Sequence, residues 1–334
     1  MKVKMKTLAA IAGLTLGLSA GMAHAETVLR LGSVAPSKSP WGAWAVEAAQ
    51  EVEKVSGGQL KIQLMLDGQI GDELTMVRQA SKGRLDMVMV SNDPVAVVIP
   101  EMDLMTGAYL FDSDEQGTCV QYNHLSKLFT PLMKEAGLHS LTWMEVGHSI
   151  IFSKTKLRTP QDLAGVKIRV AQGIVKNDYM NKLNASGSPL GTADTIPALQ
   201  TGTIDAVTYP AVYGVAVGIP KLAPNVLLTN HQRPVGVVAV SDRIWKKLSK
   251  QEQEWLSVIT PMGPKLTEMI FGAEKALLAK TAEAGADVHA LTPEEEAAWR
   301  ASAKGVVEAS AKKIGPKAVD MLAKLEAAKQ ACRK

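Results

Sequence analysis

The sequence predicts an α/β fold of parallel sheets covered by helices, built in two units. Three observations carry that expectation. Strand and helix patterns alternate through two separate runs, one opening at Thr27 and one near residue 150. Such alternation is the mark of parallel strands joined by crossover helices. Removal of an N-terminal leader leaves 309 of the 334 residues, more than the roughly 100–200 of one ordinary domain. Beyond "GVVAVSDRIW" the pattern becomes helical.

The leader comes first. Lys2, Lys4 and Lys6 form a basic start, Leu8 to Leu18 a short apolar core, and Ala23-His24-Ala25 an A-x-A cleavage site. These are the parts of a secretory signal peptide, and the core is too short to span a bilayer. Cleavage is expected after Ala25, giving a periplasmic chain that begins at Glu26 with no cysteine there to carry a lipid. The 37 Lys and Arg lose those three leader lysines, so 34 remain against 33 Asp and Glu. A near-neutral mature chain gives no reason to expect nucleic acid or anionic lipid as partner. Cys119 and Cys332 are the two cysteines. They exclude a disulfide scaffold and leave open one bridge or two unpaired thiols.

The mature chain opens on the strand "TVLRLGSV", followed by a loop, "APSKSPWG". Trp44, Ala48, Val52 and Val55 recur at helical spacing, and "SGG" ends that helix. "QLKIQLML" alternates like a strand; helix "DELTMVRQASKG" and strand "RLDMVMV" follow. In the second run Thr159 and Pro160 start a helical turn, "VKIRV" is a strand, residues 175–184 a helix, "TIPALQTG" a helix and "TIDAVTY" a strand. "ASKGRLDMV" and "LQTGTIDAV" echo each other, with Gly83 and Gly202 suited to left-handed helix caps. The echo fits two similar lobes and also fits chance, since Gly caps before strands are common. Ser249 with Glu252, and Thr292 with Glu295, form capping boxes. Residues 250–284 read as one long, largely helical stretch, and two further helices split at Gly315-Pro316 end the chain.

Catalytic signatures are scarce. There is no H-E-x-x-H, C-x-x-C, G-x-x-x-x-G-K-[ST] or G-x-S-x-G. "DSDEQG" resembles the start of a calcium loop, but its twelfth position is Asn123. The histidines lack metal-ligand spacing. One residue stands out. In "GVKIRVAQG" Arg169 sits near the carboxyl end of a short apolar strand. Spacing alone favours surface decoration or a structural ion pair over a guanidinium facing a cleft.

"LRLGSVAPSKSPWG", "SGGQLKIQLMLDGQIGDE", "KGRLDMVMVS", "IPEMDLMTGAYLF", "TPQDLAGVKIRV", "ALQTGTIDAV" and "LLTNHQRPVGVVAVSDRIWKKLSKQEQEWL" occur in that order over about residues 27–260. Together they resemble the extracytoplasmic solute-binding proteins of TRAP transporters, the DctP-type family. The resemblance implies a two-lobed periplasmic-binding-protein fold with a ligand cleft between the lobes, crossing strands and a long connecting helix. The lobes would be residues 26–148 plus about 235–265, and 149–234 plus about 266–290, with 291–334 as C-terminal helices packing on both.

The resemblance also implies a role for Arg169, as the family's K-I-R-V arginine that pairs with a ligand carboxylate. A planar guanidinium fork suits that task better than an ammonium. Two departures bear on the ligand. His148-Ser149 stands where many relatives have Phe-Arg, and Thr208-Tyr209-Pro210 where many have Glu-Asn-Pro. The first removes a second arginine. The second removes a carboxylate that one branch uses to hold a cation, so neither a metal nor a cofactor is expected.

The implied function is non-catalytic: a monomeric receptor that captures an organic acid, with a monocarboxylate favoured over a dicarboxylate, and delivers it to membrane permease subunits. A sensing receptor, or a periplasmic enzyme on the same scaffold, is the alternative. The candidate ligand-binding residues are Arg169, Tyr209, Ser149, His148, Asn92, Trp41 and Thr192.

Overall fold

Two mixed sheets, each packed between helices, organise residues 26–333, the part of the chain that this computed structural model describes. The expected signal peptide lies outside the described residues. The strands are β1 (Thr27–Gly32), β2 (Leu60–Met65), β3 (Met87–Ser91), β4 (Leu138–Glu145), β5 (Ser149–Ser153), β6 (Lys167–Val170), β7 (Ser186–Pro189), β8 (Ala206–Pro210), β9 (Asn225–Gln232), β10 (Val235–Ser241) and β11 (Asp287–Ala290). The first sheet has the order β2-β1-β3-β10-β4, the second β11-β9-β5-β8-β6-β7.

The two β-α-β-α-β runs build matching halves. β1 pairs in parallel with β2 and β3; β6 pairs in parallel with β7 and β8. An antiparallel strand then flanks each run, β10 beside β3 and β5 beside β8. Gly83 (φ +73°) and Gly202 (φ +75°) both take the left-handed conformation, each before the third strand of its run. The echo between the two segments therefore marks equivalent places in two lobes.

Helices cover both faces of each sheet, so the strands are apolar on both sides. Val88, Val90, Val237 and Ala239 point into one core of the first lobe, with Met102, Phe129 and Trp143. Met87, Met89, Val238 and Val240 point into the other, with Trp44 and Val52. That split follows the two-residue period of a strand. The second lobe divides likewise, with Ile151, Ile168 and Leu227 on one side and Ile150, Phe152 and Val226 on the other.

The chain crosses between lobes from β4 to β5, through Val146, Gly147 and His148, and returns from β9 to β10 through Arg233 and Pro234. A long helix, Gly263–Glu283, joins them a third time: Leu266 and Ile270 are buried in the first lobe and Leu278 packs on the second. The C-terminal helices are shared. Trp299 enters the second lobe's core, whereas Val307, Ala318, Met321 and Leu325 enter the first.

Three details differ from the sequence expectation. The first helix starts at Pro40, inside the presumed loop, because Ser39 caps it by accepting from Gly42 N. The stretch at 250–284 is two helices, Lys250–Ser257 and Gly263–Glu283, separated by a 3₁₀ turn at Thr260–Met262 that contains Pro261. Three helices end the chain, because Gly305 (φ +79°) adds a break before the one at Gly315. The two cysteines form a disulfide, Cys119 to Cys332, with Cα atoms 5.8 Å apart.

Candidate functional site

A cavity of about 140 Å³ lies between the lobes. Its size is close to the ~150 Å³ that admits a benzene-sized molecule. From the first lobe it takes Trp41, Asp72, Glu73, Ser91 and Asp93; from the second, Arg169, Lys176, Thr192, Thr208, Tyr209 and Tyr213. Most of these residues sit at or just beyond strand carboxyl ends, where open α/β sheets place their ligands.

Arg169 is 4% exposed. Its Nε donates to the Leu190 carbonyl at 2.9 Å and its Nη1 to the Thr208 carbonyl at 3.2 Å. The guanidinium carbon lies 4.2 Å from the centre of the Tyr209 ring. Tyr209 is itself fixed by a hydrogen bond between its hydroxyl and Thr195 Oγ1, 2.8 Å. These contacts hold the group flat and aim it, and they use two of its five N–H donors. Among the described residues, no carboxylate lies within ion-pair distance of it. A buried cation in that state is a strong binding site for an anion.

Acidic groups face it. Glu73 accepts from Ser91 N at 2.8 Å and Ser91 Oγ at 3.0 Å. Burial lifts its carboxyl to about 7, with Asp93 adding to the rise and the Ser91 hydrogen bonds and Arg169 opposing it. Asp93 is paired with Lys176, whose Nζ lies 2.7 Å away. The sequence reading named neither Glu73, Asp93 nor Lys176. The signal available was their position just after β2, β3 and β6, the loops that an open parallel sheet turns toward its ligand.

Five of the seven expected residues line the cavity: Arg169, Tyr209, Ser149, Trp41 and Thr192. Trp41 spends its ring N–H on the Glu145 carbonyl, 2.7 Å, so it offers the cavity an apolar face. It lies across β10 at Gly236, where a Cβ would come 2.5 Å from the indole. Ser149 is 2% exposed and carries no charge. Thr208 accepts from Arg169 through its carbonyl.

The other two are placed elsewhere. Asn92 is fully buried and serves the backbone: its Oδ1 accepts from Val235 N at 3.2 Å, and its Nδ2 donates to the Met102 carbonyl at 3.4 Å. His148 turns away from the cavity toward two carboxylates, Asp114 at 2.8 Å and Glu274 at 3.1 Å. Burial alone would strip its proton, but those two partners outweigh it and hold the ring pKa at about 10.

His148 belongs to a charged cluster where the chain crosses between the lobes. Glu145 is fully buried and takes both Nε and Nη2 of Arg233 on one oxygen. Its other oxygen accepts from Gly147 N at 2.9 Å. Arg233 reaches Thr118 Oγ1 at 2.8 Å and passes Gly117 so closely that a Cβ there would meet its guanidinium at 2.2 Å. Among the described residues, the one grouping with metal-ligand spacing is Cys119, His124 and Cys332. Its two sulfurs are joined in the disulfide. No helix of the described residues is long and apolar enough to cross a membrane.

Known proteins share this fold. The C4-dicarboxylate-binding periplasmic protein of Rhodobacter capsulatus is 22% identical over 309 residues, 92% of this chain and 93% of its own. The sugar acid-binding protein of Advenella mimigardefordensis, solved with galactonate, superposes with a TM-score of 0.86 at 24% identity, over 92% of this chain and 99% of that one. A TRAP periplasmic solute-binding protein of Sulfurospirillum deleyianum, solved with succinate, gives 0.82 at 22% identity, over 91% and 99%. At such identities the superpositions establish a shared two-lobed fold. The profile described as bacterial extracellular solute-binding protein, family 7, matches residues 31–314, most of the chain. With that match added to the two lobes and the cleft between them, the chain belongs to the DctP family of extracellular solute-binding proteins.

Proposed function

We propose that this protein is the periplasmic receptor of a TRAP-type transporter, capturing a small organic acid and delivering it to the membrane permease. Arg169 is the anchor. The observation that carries the reading is a buried guanidinium, oriented by two carbonyls and a tyrosine ring, with no carboxylate partner in the cavity it lines. A ligand carboxylate completes it with bidentate, charge-assisted hydrogen bonds. Relatives of the same fold have been solved with galactonate and with succinate, so the fold itself accommodates acids with one carboxylate and with two.

For this chain the cavity favours one. Ser149 supplies no charge at the position where a second arginine would stand. The second cation that lines the cavity, Lys176, is already engaged by Asp93. Asp72 and, when ionised, Glu73 on the facing wall repel a second carboxylate, and an unpaired buried charge is costly. The same carboxylates can accept from ligand hydroxyls, while Trp41, Tyr209 and Tyr213 offer apolar surface. A hydroxy, oxo or aromatic monocarboxylic acid suits that mixture. A competition series of matched mono- and dicarboxylates at fixed pH tests the reading. The expected result is tighter binding by monoacids; tighter binding by diacids such as succinate or malate than by every monoacid contradicts it.

A further inference from the structure

The cavity holds two cations of unequal standing. Arg169 has no carboxylate within ion-pair distance among the described residues, whereas Lys176 Nζ lies 2.7 Å from Asp93. Both side chains of that pair are largely enclosed, 6% and 15% exposed. The pair joins the lobes. Asp93 follows β3 in the first, and Lys176 lies in the first turn of the helix Ile174–Lys182 in the second. All three residues line one cavity.

The backbone of Lys176 does not depend on Asp93 for its position. Asp103, also from the first lobe, caps the same helix: its Oδ2 accepts from Ile174 N at 2.6 Å and from Val175 N at 3.0 Å. Val175 is buried in the first lobe's core. The backbone that carries the ammonium is therefore held across the lobe boundary by contacts that survive the loss of the Asp93 carboxylate.

From this geometry we infer that Asp93 is a built-in second carboxylate, occupying the ammonium that the far end of a dicarboxylic acid would need and so setting the cleft's selectivity for acids with one carboxylate. A diacid anchored on Arg169 meets two alternatives. It leaves its far carboxylate unpaired in the cavity, or it displaces Asp93 and strands that carboxylate close to Glu73. Each alternative leaves a desolvated anion without a partner. Removing the charge of Asp93 reverses the balance, because Lys176 then has no carboxylate at ion-pair distance, the nearby Asp103 being engaged by Ile174 N, Val175 N and Thr106 Oγ1, and a diacid is its remedy. The inference rests on the reading of Arg169 as the carboxylate anchor.

The test is calorimetry at constant pH on wild type, Asp93→Asn and the double variant Asp93→Asn/Lys176→Gln. The probes are matched pairs: succinate with butyrate, malate with 3-hydroxybutyrate, and glutarate with valerate. The expected result is a rise of about tenfold or more in the diacid-to-monoacid affinity ratio for Asp93→Asn, and loss of that gain in the double variant. An unchanged ratio in Asp93→Asn, or a gain that persists without Lys176, overturns the inference while leaving Arg169 as the anchor. A wild type that prefers diacids, or binds none of the acids, removes the underlying reading instead. Should Asp93→Asn not fold, Asp93→Ser, which leaves room for water beside the ammonium, takes its place. Folding of either variant only with diacid present supports the inference. Failure of both to fold with diacid present overturns it, since the pair is then a requirement of the fold.

Discussion

Two arginines, 4% and 7% exposed, divide this molecule into a region that waits and a region that is finished. Arg169 in the cleft is held by carbonyls and an aromatic ring and, among the described residues, has no carboxylate within ion-pair distance. Arg233, where the chain crosses between lobes, grips the fully buried Glu145 and also reaches Thr118. The residue type and the burial are nearly the same. The difference lies in whether the protein supplies the counter-charge. Where it does, the arginine is part of the fold; where it does not, the proposed reading assigns the missing charge to the ligand.

The largest expected effect on stability is at the finished site. Arg233→Met strands the Glu145 carboxylate and should cost about 3–5 kcal/mol in urea denaturation. Adding Glu145→Gln should recover much of the loss, because the amide oxygen still accepts from Gly147 and no buried charge is left alone. A double variant no better than the single one would break the comparison by showing that the ion pair is not what holds the crossing.

A smaller loss should follow Cys119→Ser with Cys332→Ser. The disulfide closes a separation of 213 residues, and its removal should cost about 2–4 kcal/mol. Neither cysteine lines the cavity, so ligand affinity measured beside the denaturation curve should stay at the wild-type value.

His148 sharpens the comparison through pH. Its ring keeps its proton to about 10 in the folded chain, against an ordinary 6.5, through Asp114 and Glu274. A raised folded value contributes stability that is complete below about 6.5 and is lost as the pH climbs to about 10. Wild type minus His148→Gln should therefore shrink by roughly 1–3 kcal/mol across that window, a modest figure because Asp114 is half exposed. A constant difference would mean that the ring is neutral throughout.

How much of this was legible in the sequence depends on the distance over which each feature is decided. Strand alternation in "QLKIQLML" and "VKIRV" is local, and both strands are present, as β2 and β6. Capping boxes are local too: Ser249 with Glu252 and Thr292 with Glu295 both form. Nothing local separates the arginine of "KIRV" from that of "HQRPV", because the deciding partner of the second, Glu145, is 88 residues away. The Lys176–Asp93 pair is 83 residues apart and the disulfide 213, so neither could be read from spacing. Asn92 and His148 misled for a related reason. A polar residue beside a strand end looks available for a ligand, yet both are spent on the protein, one on backbone groups and one on carboxylates.

The most direct measurement is calorimetric titration of Arg169→Ala with a monocarboxylate that the wild type binds, run beside its urea denaturation curve. Binding should fall by at least about a hundredfold, since a charge-assisted bidentate contact is lost, while stability should hold or rise, since a buried cation without a counter-ion is removed. Arg169→Lys should lie between, retaining charge without the fork. Near wild-type affinity in Arg169→Ala, or a stability loss as large as that of Arg233→Met, would contradict the account and make Arg169 one more structural arginine.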